Sequence, residues 1–333
     1  MCKAQEGEIF MQGKDFKERD CMSFDGFCIS VRIDIQRRLG DSFLVYLNDV
    51  TKNNDTKLKA LVITEQDTNL HPNIYMEGFY DRYRNGVSLV EIEEAILQVY
   101  RESRTERRLD ISLFTDWKKV KERIIFKLVN FDRNRELLND IPHRKFLDLA
   151  IVYECFLGVN DGGGASIFIH NSHLDLWKVT EDELHTTAFR NTPELMGCSF
   201  LNMKEVLQKL MDSEGEKELL EGLWGVEEAD DNRFPMYVLT NRYKIHGNGC
   251  ILYKNLLKKI SEEWGCDICI IPSSVHETIL MPMDKVESYG GMAQMICEAN
   301  RTAVMPDEIL SDHPYLFVRE TGKITMQEGM DYE

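Results

Sequence analysis

Three short stretches bring reactive side-chain types close together. In Ser273-Ser274-Val275-His276-Glu277 a hydroxyl, an imidazole and a carboxylate fall within five residues. A nucleophilic hydroxyl needs an imidazole to take its proton and an acid to orient that imidazole. Ser274, His276 and Glu277 are therefore the catalytic candidates. Against them, neighbours on one strand cannot all converge, and the G-x-S-x-G elbow is missing. A turn between two strands uses the same letters. His170-Asn171-Ser172-His173, with Asp175 and His185 following, offers imidazoles three apart. They share a face on a helix and point apart on a strand. A zinc site needs three or four converging ligands, and Asn171 is also a natural helix cap. Cys266-Asp267-Ile268-Cys269 has the spacing of half a zinc knuckle, but no second pair exists. On a strand its two thiols face opposite sides. Asp161-Gly162-Gly163-Gly164 lacks the Lys and Ser/Thr of a P-loop and reads as a hairpin turn.

Composition limits what these groups can serve. At about 150 residues per domain, 333 residues suggest two domains. Hydrophobic residues make up 43% and charged residues 29%, enough apolar material for a sizeable core. The formal charge is −17, which argues against nucleic acid or an anionic membrane as partner. One local exception is the basic stretch 101–127, including Arg101, Arg104, Arg107, Arg108, Lys118, Lys119, Lys121 and Arg123. Acids are interleaved and no aromatic stacking pattern accompanies it, so it reads as a solvated face. Nine irregularly spaced cysteines make a poor disulfide framework and suit a reducing compartment. Met1–Glu8 is followed by no apolar stretch, so no secretory leader is expected. No run of apolar residues reaches membrane-spanning length.

The elements that must position the candidates follow from periodicity. Phe24, Phe27, Cys28, Val31, Ile35 and Leu39 recur at helical spacing, with Gly40 as the stop. Residues 43–50 and 57–64 flank a turn-forming cluster and predict a hairpin. Residues 73–80 predict a further extended segment. Ser88-Leu89-Val90-Glu91 is a capping box that opens a helix to about Arg101. Residues 116–127 carry two readings, a helix or a strand from Ile124. Residues 133–139 predict a short helix and 146–156 a buried strand. Residues 165–170 return as its hairpin partner. Thr180-Glu181-Asp182-Glu183 is a second capping box, opening a helix that Pro193 is expected to stop near Asn191. Helices are expected over 203–211, 252–264 and 286–300. Strands are expected at 236–240, in a 267–271/275–281 hairpin, and in a 315–319/323–326 hairpin. Residues 213–233 are acidic and read as an exposed insertion.

Paired strands separated by helices predict an α+β fold. Its sheets are antiparallel or mixed, built from hairpins, with helices packed on one face. The expected organisation is a flexible segment 1–20, an α+β subdomain 21–140, and a second α+β subdomain 141–333 carrying the acidic insertion.

Three blocks carry a resemblance. They are LNDVTKNNDTKLKALVITEQDTNLHPNIYMEGFYDRY (47–83), IPHRKFLDLAIVYECFL (141–157) with IFIHNSHLDLWKVTEDELHTTAFRNTPEL (167–195), and MYVLTN (236–241) with CILYKNLLKKISEEWGCDICIIPSSVHETILMP (250–282). In this order they resemble an uncharacterised bacterial family defined only as a domain of unknown function, over about 24–326. The last two blocks are also distantly similar to a second uncharacterised family of small cytoplasmic proteins. The resemblance implies a bacterial intracellular protein and brings no activity, cofactor or catalytic residue with it. Asn171, His173, Asn191, Pro272, Ser273 and His276 fall in matching blocks and are site candidates without roles; of these, Asn171, His173, Asn191 and Ser273 are the ligand-binding candidates.

The leading expectation is a non-enzymatic cytoplasmic module that binds a protein or a small ligand, with no cofactor and no metal. The competing one is a hydrolase or metal-dependent enzyme using His170 and His173 or Ser274, His276 and Glu277. A third is nucleic-acid binding through 101–127. Geometry separates them, because catalysis needs at least three such groups in one cleft.

Overall fold

The computed structural model describes residues 22–65, 71–103, 112–160, 163–206 and 235–326. The expected flexible segment 1–20, most of the 203–211 helix and the acidic 213–233 stretch lie outside these residues. The chain divides into two compact units, residues 1–50 with 58–108, and residues 51–57 with 109–333.

The first unit packs helices on a three-stranded sheet. Helix α1 (Phe24–Leu39) begins where the Ser23 hydroxyl accepts from the Gly26 N–H at 3.2 Å. It ends at Gly40, whose φ of 78° suits a residue without Cβ. Strands β1 (Phe43–Thr51), β2 (Lys57–Glu65) and β3 (Asn73–Tyr75) form the sheet in that order. The extended segment expected over 73–80 stops at Tyr75, and helix α2 (Glu77–Arg84) follows. Two contacts make that turn. The Met76 N–H donates to the Lys59 carbonyl at 2.9 Å, and the Lys59 N–H donates to Glu77 Oε1 at 2.7 Å. Helical spacing then sets Tyr80 and Tyr83 against Phe27. Helix α3 (Leu89–Ser103) starts with the Ser88–Glu91 box fully made. Phe27, Val31, Ile35, Leu61, Ile92 and Ile96 close this unit's core.

The second unit contains two antiparallel sheets. Short helices α4 (Ser112–Thr115) and α5 (Trp117–Val120) precede β4 (Ile124–Asn130), so the strand reading of Ile124 onward holds. After α6 (Arg135–Leu138), the strand expected over 146–156 proves to be two. These are β5 (His143–Phe146) and β6 (Leu149–Asn160), folded back at Leu147, which adopts a φ of 56°. The long β6 is central. It pairs with β4 through seven residues, and with β5 and β7 (Gly163–Phe168) along its other edge. Residues 124–130 and 149–155 thus share one sheet across position 140, where a subdomain boundary was expected.

Helix α7 (Asn171–Trp177) leads to α8 (Glu181–Met196), which runs past Pro193 rather than stopping at Asn191. The missing proline N–H falls in the last turn. There the Pro193 carbonyl still accepts from Gly197, and the Thr192 hydroxyl donates to Ala188. The second sheet has the order β13-β12-β10-β11-β9-β8. Its strands are β8 (Ser199–Asn202), β9 (Tyr237–Thr240), β10 (Ile268–Ile271), β11 (Thr278–Pro282), β12 (Tyr315–Val318) and β13 (Lys323–Thr325). Helix α9 (Leu256–Trp264) starts four residues later than expected, because Asn255 takes a φ of 62° and residues 247–252 form a tighter 3₁₀ coil. Helix α10 (Tyr289–Thr302) starts at the Ser288 cap. Alternation sends Ile268 and Ile270 into the central core with Phe126, Leu128, Leu280 and Phe317, and sends Cys269 and Ile271 toward Ile296 of α10. The result is an α+β fold built from antiparallel hairpins.

Candidate functional site

The chemistry singled out in the sequence is dispersed. His170 Nδ1 lies 2.6 Å from Asp140 Oδ2, and the His170 N–H donates to His173 Nδ1 at 3.0 Å. His173 stacks on Trp177, and burial lowers its pKa from the ordinary histidine value. His185 Nδ1 is 2.8 Å from the Tyr153 hydroxyl. These imidazoles cap and brace α7 and α8. Asn171 donates its backbone N–H to Asp140. Asn191 is buried, and its amide donates to the carbonyls of Lys121 and Ile124. Cys266 contacts Asp284, while Cys269 is buried on β10. Among the described residues no group of three or more His, Cys, Asp and Glu is arranged to hold a metal ion.

Ser273 is half-buried in the β10–β11 loop. The Ser274 hydroxyl accepts from the backbone N–H of His276 at 3.0 Å, and the Ser274 N–H donates to the Glu277 carbonyl. The triad letters thus shape a turn. The His276 ring points elsewhere. Its Nδ1 accepts from the His246 N–H at 3.3 Å, which leaves the ring proton on Nε2, 3.4 Å from Glu308 Oε1.

His246 leads to a site that the sequence reading missed. On β4 and β6, residues 124, 126, 128, 151, 153 and 155 face the central core. Alternation therefore puts Lys127 and Glu154 on the other face. The register pairs Lys127 with Val152 and Glu154 with Ile125, which makes the two charges diagonal neighbours. Their side chains are 7% and 4% exposed, and Nζ sits 2.6 Å from Oε1. The Ser166 hydroxyl on β7 donates to Glu154 Oε2 at 2.7 Å, and the Phe168 ring lies 4.2 Å from Nζ. Burial disfavours the Glu154 charge, but Lys127 and these hydrogen bonds outweigh it and hold the carboxyl below its ordinary pKa.

The loop after β9 delivers His246. Asn241 holds the loop together, accepting from the N–H groups of Tyr243 and Ile245 and donating to the Ile245 carbonyl. Lys244 and His246 have φ of 55° and 51°, a costly geometry for residues with a Cβ. Gly247 is required by close approach. A Cβ there would lie 2.1 Å from Thr240 Oγ1 and 2.5 Å from the His276 carbonyl. The His246 ring stacks on His276, and its Nδ1 is buried without a hydrogen-bond partner. Burial and the nearby Lys127 push its pKa down to about 3, so the ring is neutral near pH 7. Together with Ile125, Glu154, Phe156, Ser166 and Ile245 it lines a recess of about 30 Å³.

Signals for this site were present. Lys127 and Glu154 are the charges inside the otherwise apolar runs IIFKLVN and LAIVYECFL. Their pairing required the strand register.

No helix among the described residues is long and apolar enough to cross a membrane. No curated protein and no solved structure is detectably similar to the chain. Over residues 24–319 the chain matches a family of unknown function, DUF5688, and it belongs to that family.

Proposed function

We propose that the protein is a cytoplasmic bacterial binding module whose recess accepts the polar end of a small neutral molecule. The observation that carries this reading is the buried, unpartnered Nδ1 of His246, held beside the recess by a strained loop. A buried polar atom without a partner costs about 1–3 kcal/mol, and strained backbone is concentrated where a fold serves binding or chemistry. The charge balance gives the ligand class. Lys127 and Glu154 neutralise each other and His246 is uncharged, so the lining favours a hydroxyl or amide over an ion. A base with a pKa near 3 is poorly matched to proton transfer at neutral pH, which favours recognition over catalysis. The cytoplasmic and bacterial assignments rest on the cysteine usage and the family resemblance. The hydrolytic reading of Ser274, His276 and Glu277 has less support, because the serine hydroxyl is engaged by a backbone N–H.

Acetamide and isopropanol are the probes. Titrated into the full chain and followed by NMR, they are expected to give saturable shifts at the Ser166 and Gly164 amides and at the His246 ring. His246→Phe is expected to abolish the amide shifts. Shifts that never saturate, or that survive in His246→Phe, would overturn the proposal.

A further inference from the structure

A larger groove lies in the second unit, where the start of α9 meets the β12–β13 hairpin. The chain leaves the 3₁₀ coil 247–252, turns at Asn255 with a φ of 62°, and enters α9. These residues, Phe146 at the end of β5 and the hairpin enclose an open cavity of about 500 Å³. That volume is within the range of small-molecule sites, about 300–1,000 Å³. Its floor is apolar. Leu257 and Phe317 belong to the central core, and Phe146, Leu252 and Ile324 pack against it while keeping part of their surface exposed. Register brings two of these together, because Phe317 and Ile324 are directly opposite on β12 and β13.

Charge is distributed differently here than over the molecule as a whole. Lys254, Lys258 and Lys323 line the groove and are exposed, and among the described residues no Asp or Glu lines it. The chain carries −17, so three cations without an acid reverse its average surface. Lys258 lies 3.9 Å from Glu262, an exposed pair of the kind that is worth little. Lys254 and Lys323 have no ion-pair partner among the described residues. Asn255 makes no side-chain capping bond, so the first turn of α9 adds the partial positive charge of its N–H groups to the same groove.

We infer that this groove binds a small amphipathic anion, an alkyl chain that ends in a carboxylate. The chain lies on the apolar floor and takes its surface out of water. The carboxylate sits among the lysine ammonium groups. Both halves of the ligand are needed, since an inorganic anion leaves the floor wet and a neutral alcohol leaves the lysines without a counter-charge. Twelve residues line the groove, against about 20–30 on each side of a standard protein interface, which favours a small molecule over a folded partner. The site goes beyond the His246 recess, where Lys127 and Glu154 cancel and a neutral group is favoured.

The test titrates octanoate, 1-octanol and acetate separately into the full chain and follows backbone amides by NMR. Octanoate is expected to give saturable shifts at Lys254, Leu257, Lys258, Gly322 and Ile324, with none at the Ser166 and Gly164 amides of the His246 recess. The charge-removal variant Lys254→Gln/Lys258→Gln/Lys323→Gln changes only exposed positions, so it is expected to keep the fold. It should weaken octanoate about tenfold, to the level of 1-octanol, and leave 1-octanol itself unchanged. Equal affinity of the wild-type chain for octanoate and 1-octanol would overturn the inference. So would acetate shifting the same amides at the same concentrations, or octanoate shifts that never saturate. A dimer in sedimentation velocity that octanoate dissociates would assign the groove to a second copy and overturn it as well.

Discussion

Glu154→Gln is the most informative single perturbation. It keeps the shape of the side chain and removes the charge that faces Lys127. The pair is 2.6 Å apart with both side chains under a tenth exposed, so neither charge has water as a substitute partner. Breaking such a pair leaves an uncompensated buried charge and costs about 3–5 kcal/mol. Replacing both partners by apolar groups of similar volume is close to neutral, and in some proteins stabilising by about 1–4 kcal/mol. Glu154→Gln and Lys127→Met are therefore each expected to lose about 3–5 kcal/mol, whereas Lys127→Met with Glu154→Leu loses far less than the sum. Trp117, Trp177 and Trp264 lie in the second unit, so tryptophan fluorescence reports on this region. In urea, with a slope of about 2–3 kcal/mol per molar, each single change lowers the midpoint by roughly 1–2 M. The reasoning is refuted if the double variant loses the sum of the two single losses, or if Glu154→Gln costs less than about 1 kcal/mol.

His246 gives a pH dependence whose sign is fixed. Its folded pKa lies near 3 against an ordinary 6.5, so the unfolded chain binds a proton that the folded chain refuses. That contribution is complete above pH 6.5 and is lost as pH falls toward about 3, by up to roughly 1.4 kcal/mol per pH unit. His246→Phe should flatten the stability curve over that window, and histidine nitrogen shifts should show a neutral ring at pH 5 (roughly one and a half units below the free value). Glu154 adds in the same direction at lower pH, since its depressed pKa stabilises the fold above about 4.5 and is lost below it. Gly247→Ala forces a Cβ against Thr240 Oγ1 and two backbone atoms, and should cost about 1–3 kcal/mol in denaturant titration while loosening the His246 loop. Thr180→Ala removes the hydroxyl that accepts from the Glu183 N–H at 3.2 Å, and should lower stability by about 1 kcal/mol in the same titration.

Local chemistry wrote much of this fold into the sequence. The α1 stripe ending at Gly40, the Ser88–Glu91 box and the hairpins about 51–57, 272–277 and 319–322 were legible because caps and turns act between residues a few positions apart. The misread boundaries have a common cause. The turn at Tyr75, the fold-back at Leu147 and the late start of α9 depend on a distant backbone partner or on a left-handed residue other than glycine. Pro193 is tolerated because its missing donor falls in a last turn that other bonds complete. The site divides along the same line. Ser274, Glu277, His170 and His173 were visible as neighbours in sequence, and neighbours are what turns and caps consume. Glu154, Ser166 and His246 come from three segments, and only strand register and a strained loop bring them to one recess, with Lys127 set beside Glu154 by the same register. Spacing along the chain determines which local structures can form, and long-range pairing decides which side chains are left facing one another.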